Sequence, residues 1–66
     1  MDVIKLMEKA IENEREATKM YRQGAEAAGD PETRSIFEQL DKWEEEHERI
    51  LLDRLATLKL IRGGQS

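Results

Sequence analysis

Three ionisable residues interrupt two apolar stripes that otherwise have the spacing of buried helix faces. Glu14 occupies a gap in the first stripe, and Glu44 and His47 occupy a gap in the second. Burial of an unpaired carboxylate costs several kcal/mol of folding free energy, so each of these side chains needs a compensating partner. Carboxylate oxygens and imidazole nitrogens are metal ligands, and we therefore predict a metal site formed by Glu14, Glu44 and His47.

The spacing of the three residues indicates that they meet. Glu44 and His47 are three residues apart, which places them one turn apart on a single helix face. Glu14 precedes Asp30 by 16 residues, and Glu44 and His47 follow it by 14 and 17. At about 1.5 Å rise per residue, all three lie roughly 23–24 Å from a turn at Asp30. They should converge at one level of a helical hairpin.

The rest of the sequence predicts two long helices that could position these ligands. Apolar residues recur every three or four positions in both halves, and no strand signal is present. We expect helix 1 over about residues 2–28, with Asp2 as N-cap and Gly29 as C-terminal stop. Asp30 and Pro31 then suit the start of helix 2, over about residues 31–61. Residues 63–66 are expected to form a flexible tail.

This all-α hairpin leaves a long apolar face on each helix with nothing to cover it. Pairing two hairpins into a four-helix bundle would cover these faces and bring two copies of the metal ligands together. Four carboxylates carry a charge of −4, which two divalent cations would neutralise. Oxygen-rich sites with some imidazole suit iron(II) or manganese(II), and zinc is a plausible substitute.

The composition excludes several other kinds of protein. The chain has 66 residues, no cysteine and a net charge of −4. Disulfides, zinc ribbons, iron–sulfur clusters, thiol nucleophiles and rubredoxin centres are thereby excluded. An acidic chain without a basic stripe does not suit nucleic acid, and no apolar run approaches a membrane span. We expect a cytoplasmic protein.

Residues near the predicted ligands could pack in the protein or support the metal site. Tyr21 lies seven residues after Glu14 on the same face. It either packs in the core or donates a hydrogen bond to a metal-binding carboxylate. Phe37 and Trp43 are expected to pack or to contact another subunit. Glu45, Glu46 and Glu48 are expected to form a solvated acidic face.

Several segments together resemble the rubrerythrin/ferritin-like superfamily. They are residues 10–14, Tyr21, residues 30–32 and residues 44–47, so that the resemblance covers about residues 10–58. The two-helix length is most similar to the encapsulated ferritins, half-ferritins whose di-iron centre forms between two chains. The resemblance implies that Glu14, Glu44 and His47 are iron ligands, that Tyr21 lies beside the centre, and that residues 1–62 form one half-ferritin domain.

The function implied by the resemblance is that of a ferroxidase, which oxidises Fe(II) with dioxygen in iron storage or detoxification. One alternative is a rubrerythrin-like peroxide-reducing di-iron protein, which would need a separate electron donor. The other is a non-enzymatic helical interaction module, in which the polar residues only fix the register of the helices.

The resemblance also implies partners. The first is a second copy of the chain, which would complete the metal site and form a higher homo-oligomer. The second is an encapsulin shell around the protein. Residues 60–66 do not resemble a shell-docking peptide, and the sequence itself does not support that second partner.

Overall fold

The computed structural model describes residues 1–64, which form two antiparallel helices joined by a short turn. Helix α1 spans Val3–Ala27 and helix α2 spans Pro31–Gly64, and residues 1–64 contain no strand. The hairpin is a rod with principal extents of 54 × 17 × 14 Å. The predicted all-α hairpin is confirmed.

Side chains cap both helices at their N-termini, as the sequence predicts. The Asp2 carboxylate accepts a hydrogen bond from the Ile4 backbone N–H at 3.0 Å. Asp30 does the same for the Thr33 N–H at 2.8 Å, and Pro31 is the first residue of α2. Each carboxylate thus satisfies a backbone donor that has no partner inside its helix.

The two C-termini differ from the sequence-based expectation. Helix α1 stops at Ala27 because Ala28 turns into extended backbone, and no glycine in the described residues has a positive φ. Gly29 therefore follows the helix without forming a left-handed cap. Helix α2 continues to Gly64, into the segment predicted to be a tail, and Arg62 anchors its last turns by an ion pair to Asp2 at 3.2 Å. Gln65 and Ser66 lie outside the described residues.

The apolar core lies towards the open end of the hairpin, opposite the turn. Its buried members are Ile4, Ile11 and Leu55, and the partly buried side chains around them are Met7, Leu51 and Leu58. Nearer the turn, the Tyr21 and Phe37 rings are in contact, with centroids 6.5 Å apart. The three predicted ligands lie between these two apolar regions.

The hairpin has two unlike long sides. One side, the ion-pair face, carries four sets of ion pairs between Asp2, Glu8, Arg15 or Arg22 and residues of α2. The opposite side, the apolar face, carries large side chains that are 50–61% exposed. They are Val3, Leu6, Met20, Ile36, Trp43, Ile50 and Ile61.

Neither helix, within residues 1–64, is long and apolar enough to cross a membrane.

Candidate metal centre

Glu14 reaches the site from the inner face of α1. It lies one turn beyond the buried Ile11 and one turn before the buried Thr18. These two neighbours pack against α2 and hold the Glu14 side chain in the contact between the helices, where it is only 25% exposed. The Thr18 hydroxyl donates to the Glu14 main-chain carbonyl oxygen at 3.0 Å and leaves the carboxylate free.

Glu44 and His47 reach the site from α2, where they are one turn apart. The Glu44 side chain is 15% exposed and the His47 imidazole is 55% exposed. His47 Nδ1 lies 3.4 Å from Glu14 Oε2 and 3.8 Å from Glu44 Oε2. The imidazole therefore stands between two carboxylates and is open to the apolar face.

The structure brings the three residues together, as the matched heights predict. One ligand atom from each lies within 4.8 Å of the others. Two ligand atoms bound to one cation at about 2.1 Å lie at most about 4.2 Å apart. The two contacts of His47 fall inside that limit, so small rotations of the side chains suffice for all three groups to bind one ion.

One oxygen of the site has no partner among residues 1–64. Glu14 Oε2 is buried and receives no hydrogen bond, although His47 Nδ1 lies 3.4 Å away. The other such oxygen in the described residues is Asp41 Oδ1, but Asp41 is already paired through Oδ2 with Arg22 at 3.2 Å. Glu14 has no arginine or lysine in that position. The donor set therefore lacks a cation, which a metal ion would supply.

Tyr21 lies nearer the turn than the other three candidate residues. Its ring is in contact with Phe37, and its hydroxyl makes no hydrogen bond within the described part of the chain. The single chain thus gives Tyr21 a packing role, and its place beside a metal centre stays a prediction.

Each acidic residue that was expected to form a solvated face is paired with an arginine. These residues are Glu45, Glu46 and Glu48. Arg15 Nε lies 2.5 Å from Glu48, and Arg22 binds both Asp41 and Glu45. The hydrogen bond from Arg22 to Asp41, followed by the other interactions with Asp41 and Glu45, raises the pKa of Arg22. These two arginines were not predicted from the sequence, although their seven-residue spacing could have indicated that they lie on one edge of α1.

Glu46 also has a cation beside it. A hydrogen bond from Arg49, three residues along α2, lowers the pKa of Glu46. Both members of this pair belong to α2. Glu46 is not among the residues whose ligand atoms lie within 4.8 Å of one another.

Comparison with known proteins identifies the fold family. Searches among curated proteins and among solved structures gave no match. The family model of the ferritin-like domain matches residues 1–61, nearly the whole chain and all three candidate ligands. The chain therefore belongs to the ferritin-like family.

Proposed function

We propose that this protein is a ferroxidase of the encapsulated-ferritin type. In this proposal two copies of the chain bind two Fe(II) ions and oxidise them with dioxygen, in iron storage or detoxification. The observation that carries it is the buried Glu14 Oε2, which has no hydrogen-bond partner and lies 3.4 Å from an exposed imidazole. Membership of the ferritin-like family makes iron the cation to test first.

The donor set is compatible with iron. Each chain offers two carboxylates and one imidazole within 4.8 Å, and the chain has no cysteine. Hard oxygen donors with one nitrogen per ion suit Fe(II) and Mn(II), and Zn(II) can occupy such sites. Two chains would supply four carboxylates, whose charge two divalent ions balance.

The proposal needs a second copy of the chain, and the pattern of the apolar face supports one. Ile36, Trp43 and Ile50 recur every seven residues on α2, and Leu40 and His47 fill the positions between them. This three-four alternation is the spacing of helices that pack side by side in bundles. His47 belongs to the same stripe, so a chain that covers the apolar face would also enclose the metal ligands.

The roles of the residues follow from their positions. Glu14 and Glu44 are the less exposed ligands and would neutralise the cations, and His47 would supply the nitrogen donor to each. Each Fe(II) loses one electron, and dioxygen accepts the electrons. A pair of hairpins has no room for a mineral, so iron storage would need an external container. An encapsulin shell in that role stays a prediction.

Aerobic oxidation of Fe(II) tests the activity. The anaerobic protein is loaded with Fe(II), mixed with air-saturated buffer, and followed by near-ultraviolet absorption of ferric iron and by oxygen consumption. We expect wild-type protein to oxidise Fe(II) faster than buffer alone, and His47→Ala to lose most of that acceleration. Iron that binds and then oxidises no faster than in buffer would disprove the ferroxidase proposal.

The same mixing experiment with hydrogen peroxide under anaerobic conditions addresses the peroxide-reducing alternative. The ferroxidase proposal predicts a rapid reaction with dioxygen. A rapid reaction with peroxide together with none with dioxygen would favour the rubrerythrin-like function. A protein that binds no metal and is equally stable with and without Fe(II) would favour the helical interaction module.

A further inference from the structure

We propose that the ion pair between Arg15 and Glu48 positions the metal ligands by fixing the rotation of both helices. The proposal rests on the proposed metal-binding function and adds two positioning residues to it. Neither residue would bind the metal. Their role would be to hold Glu14 opposite Glu44 and His47 before a cation arrives.

The two residues are placed to do this by their positions in the sequence and in space. Arg15 directly follows Glu14 on α1, and Glu48 directly follows His47 on α2. Arg15 Nε lies 2.5 Å from Glu48 Oε1. One residue corresponds to about 100° around a helix. The ion pair and the ligands therefore lie at the same level along the hairpin. The ion pair is on one side of the contact between the helices, and the ligands meet on the other side.

The apolar core gives little help at this level. Its buried residues lie towards the open end, and the aromatic contact of Tyr21 with Phe37 lies towards the turn. Between them, the helix contact contains the ionisable ligands and the buried Thr18, and no member of the apolar cluster. Two like-charged carboxylates in such a contact repel each other in the absence of a cation, and a rotation of either helix would separate them. The ion pair opposes that rotation.

The pattern continues towards the turn. Arg22 binds Glu45 at 3.0 Å, and Glu45 directly follows Glu44. Each of the two α2 ligands is thus followed by an acidic residue that is bound to an arginine of α1. The two pairs together hold α2 in the rotation that directs its ligands at Glu14.

The expected effect is on metal affinity more than on folding. Arg15 is 58% exposed, and ion pairs with such exposed members contribute little to stability because water screens them. Residues that orient metal ligands, in contrast, typically change affinity by about 10- to 100-fold when they are replaced.

The test is the affinity of the full chain for Co(II), used as a spectroscopic probe under anaerobic conditions, in wild type and Arg15→Glu. Two explanations of the role of Arg15 predict opposite changes in Co(II) affinity. If Arg15 acts only through its charge, its replacement by an acid makes the site more negative and tightens binding. If Arg15 positions the ligands, binding weakens, and we expect a loss of about 10-fold.

The exchanged pair Arg15→Glu/Glu48→Arg is the rescue variant. It has the charge of wild type and can form the same bridge in the opposite direction, so we expect it to recover most of the lost affinity. The matched control is Lys59→Glu, which breaks the ion pair of Lys59 with Glu8 near the open end of the same face. Circular dichroism should show the same helix content in all variants.

The outcomes separate this proposal from the proposed function. If wild type binds no Co(II) or Fe(II), the proposed function fails. If wild type binds Co(II) and Arg15→Glu binds it equally or more tightly, the positioning role is wrong and the metal site stands. A loss in Lys59→Glu as large as that in Arg15→Glu, or no recovery in the exchanged pair, would also overturn the positioning role.

Discussion

We expect the position of Glu14 on α1 to favour metal binding at the expense of the stability of the metal-free fold. The residues one turn away on either side, Ile11 and Thr18, are buried, and Glu14 puts a carboxylate between them. Its Oε2 atom is buried and receives no hydrogen bond from the described residues. A carboxylate in this state destabilises the metal-free hairpin and gains most from a cation.

Replacement of Glu14 by glutamine should therefore separate stability from binding. We expect Glu14→Gln to raise the free energy of unfolding of the metal-free protein by about 1 kcal/mol, because a buried negative charge is removed. Urea unfolding of the metal-free protein measures this. The control is Glu12→Gln, whose side chain is 65% exposed beside Lys9 and should change stability little. A loss of stability in Glu14→Gln alone would show that the carboxylate is already compensated.

The helices are positioned by a close approach near the turn. Phe37 of α2 packs directly over Gly24 of α1, and a Cβ built on Gly24 would lie 2.6–2.7 Å from the Phe37 ring. No side chain larger than hydrogen fits between the helices there. Since Phe37 is also in contact with Tyr21, its ring cannot move aside without loss of that contact.

Gly24→Ala measures the importance of this approach. Helix propensity alone predicts a gain of about 1 kcal/mol, since alanine is the better helix former. We expect instead a net loss of about 1 kcal/mol, because overpacking typically costs about 1–3 kcal/mol. Thermal unfolding followed by circular dichroism shows whether the substitution raises or lowers stability. Gly29→Ala, where no atom lies within 4 Å of the added Cβ, should be nearly neutral. A stabilised Gly24→Ala would contradict the close approach.

The cap of α2 predicts a pH dependence. Hydrogen bonds from the Thr33 backbone N–H and the Thr33 side chain, in that order, lower the pKa of Asp30. A lowered pKa means that the folded protein binds this proton less readily than the unfolded chain. The stability from the cap is thus present above the ordinary aspartate pKa and is lost as the pH falls through the lowered value.

The Asp30→Asn variant tests that pH dependence, because asparagine also caps helices but does not titrate in this range. We expect the stability of wild type to fall more steeply than that of Asp30→Asn as the pH is lowered through the acid range. Urea midpoints at several pH values give the comparison. Parallel curves for the two proteins would disprove the assignment.

Much of this architecture could be predicted from the sequence, because it depends on local chemistry. Asp2, Asp30 and Pro31 mark helix ends, and the gaps at Glu14 and His47 mark the site. The partners of the arginines could not be predicted, because the side of a helix on which an exposed ion pair forms depends on how the two helices are rotated. The continuation of α2 to Gly64 was missed for a similar reason, since the contact of Arg62 with Asp2 is non-local.

At the scale of the whole molecule, the two long sides of the hairpin have different surroundings. Ion pairs between the helices on one face are compatible with water. The other face exposes seven large apolar side chains, of which Trp43 is the largest. Exposed apolar surface of this extent is typical of an interaction site. The candidate ligand His47 opens on that same face, and we therefore expect association of chains and metal binding to be coupled.

A charged residue in the apolar face should prevent association. We expect Trp43→Glu to sediment as a smaller species than wild type in the presence of a divalent cation, because burial of the new carboxylate is unfavourable. The control is Leu52→Glu, which lies one turn after Glu48 on the side of the ion pairs and is 40% exposed. That variant should sediment as wild type does. Identical sedimentation of Trp43→Glu and wild type would place the interface elsewhere.

The most direct test of the central claim is an anaerobic Fe(II) titration of wild type, Glu44→Gln and Glu38→Gln. Glu38 is an exposed residue of α2 outside the group of candidate ligands, and its variant makes the same chemical change. For wild type and Glu38→Gln we predict saturation at about one Fe(II) per chain, as expected for two irons shared by two chains. For Glu44→Gln we predict loss of saturable binding. Equal binding by all three proteins, or none by wild type, would contradict a metal centre formed by Glu14, Glu44 and His47.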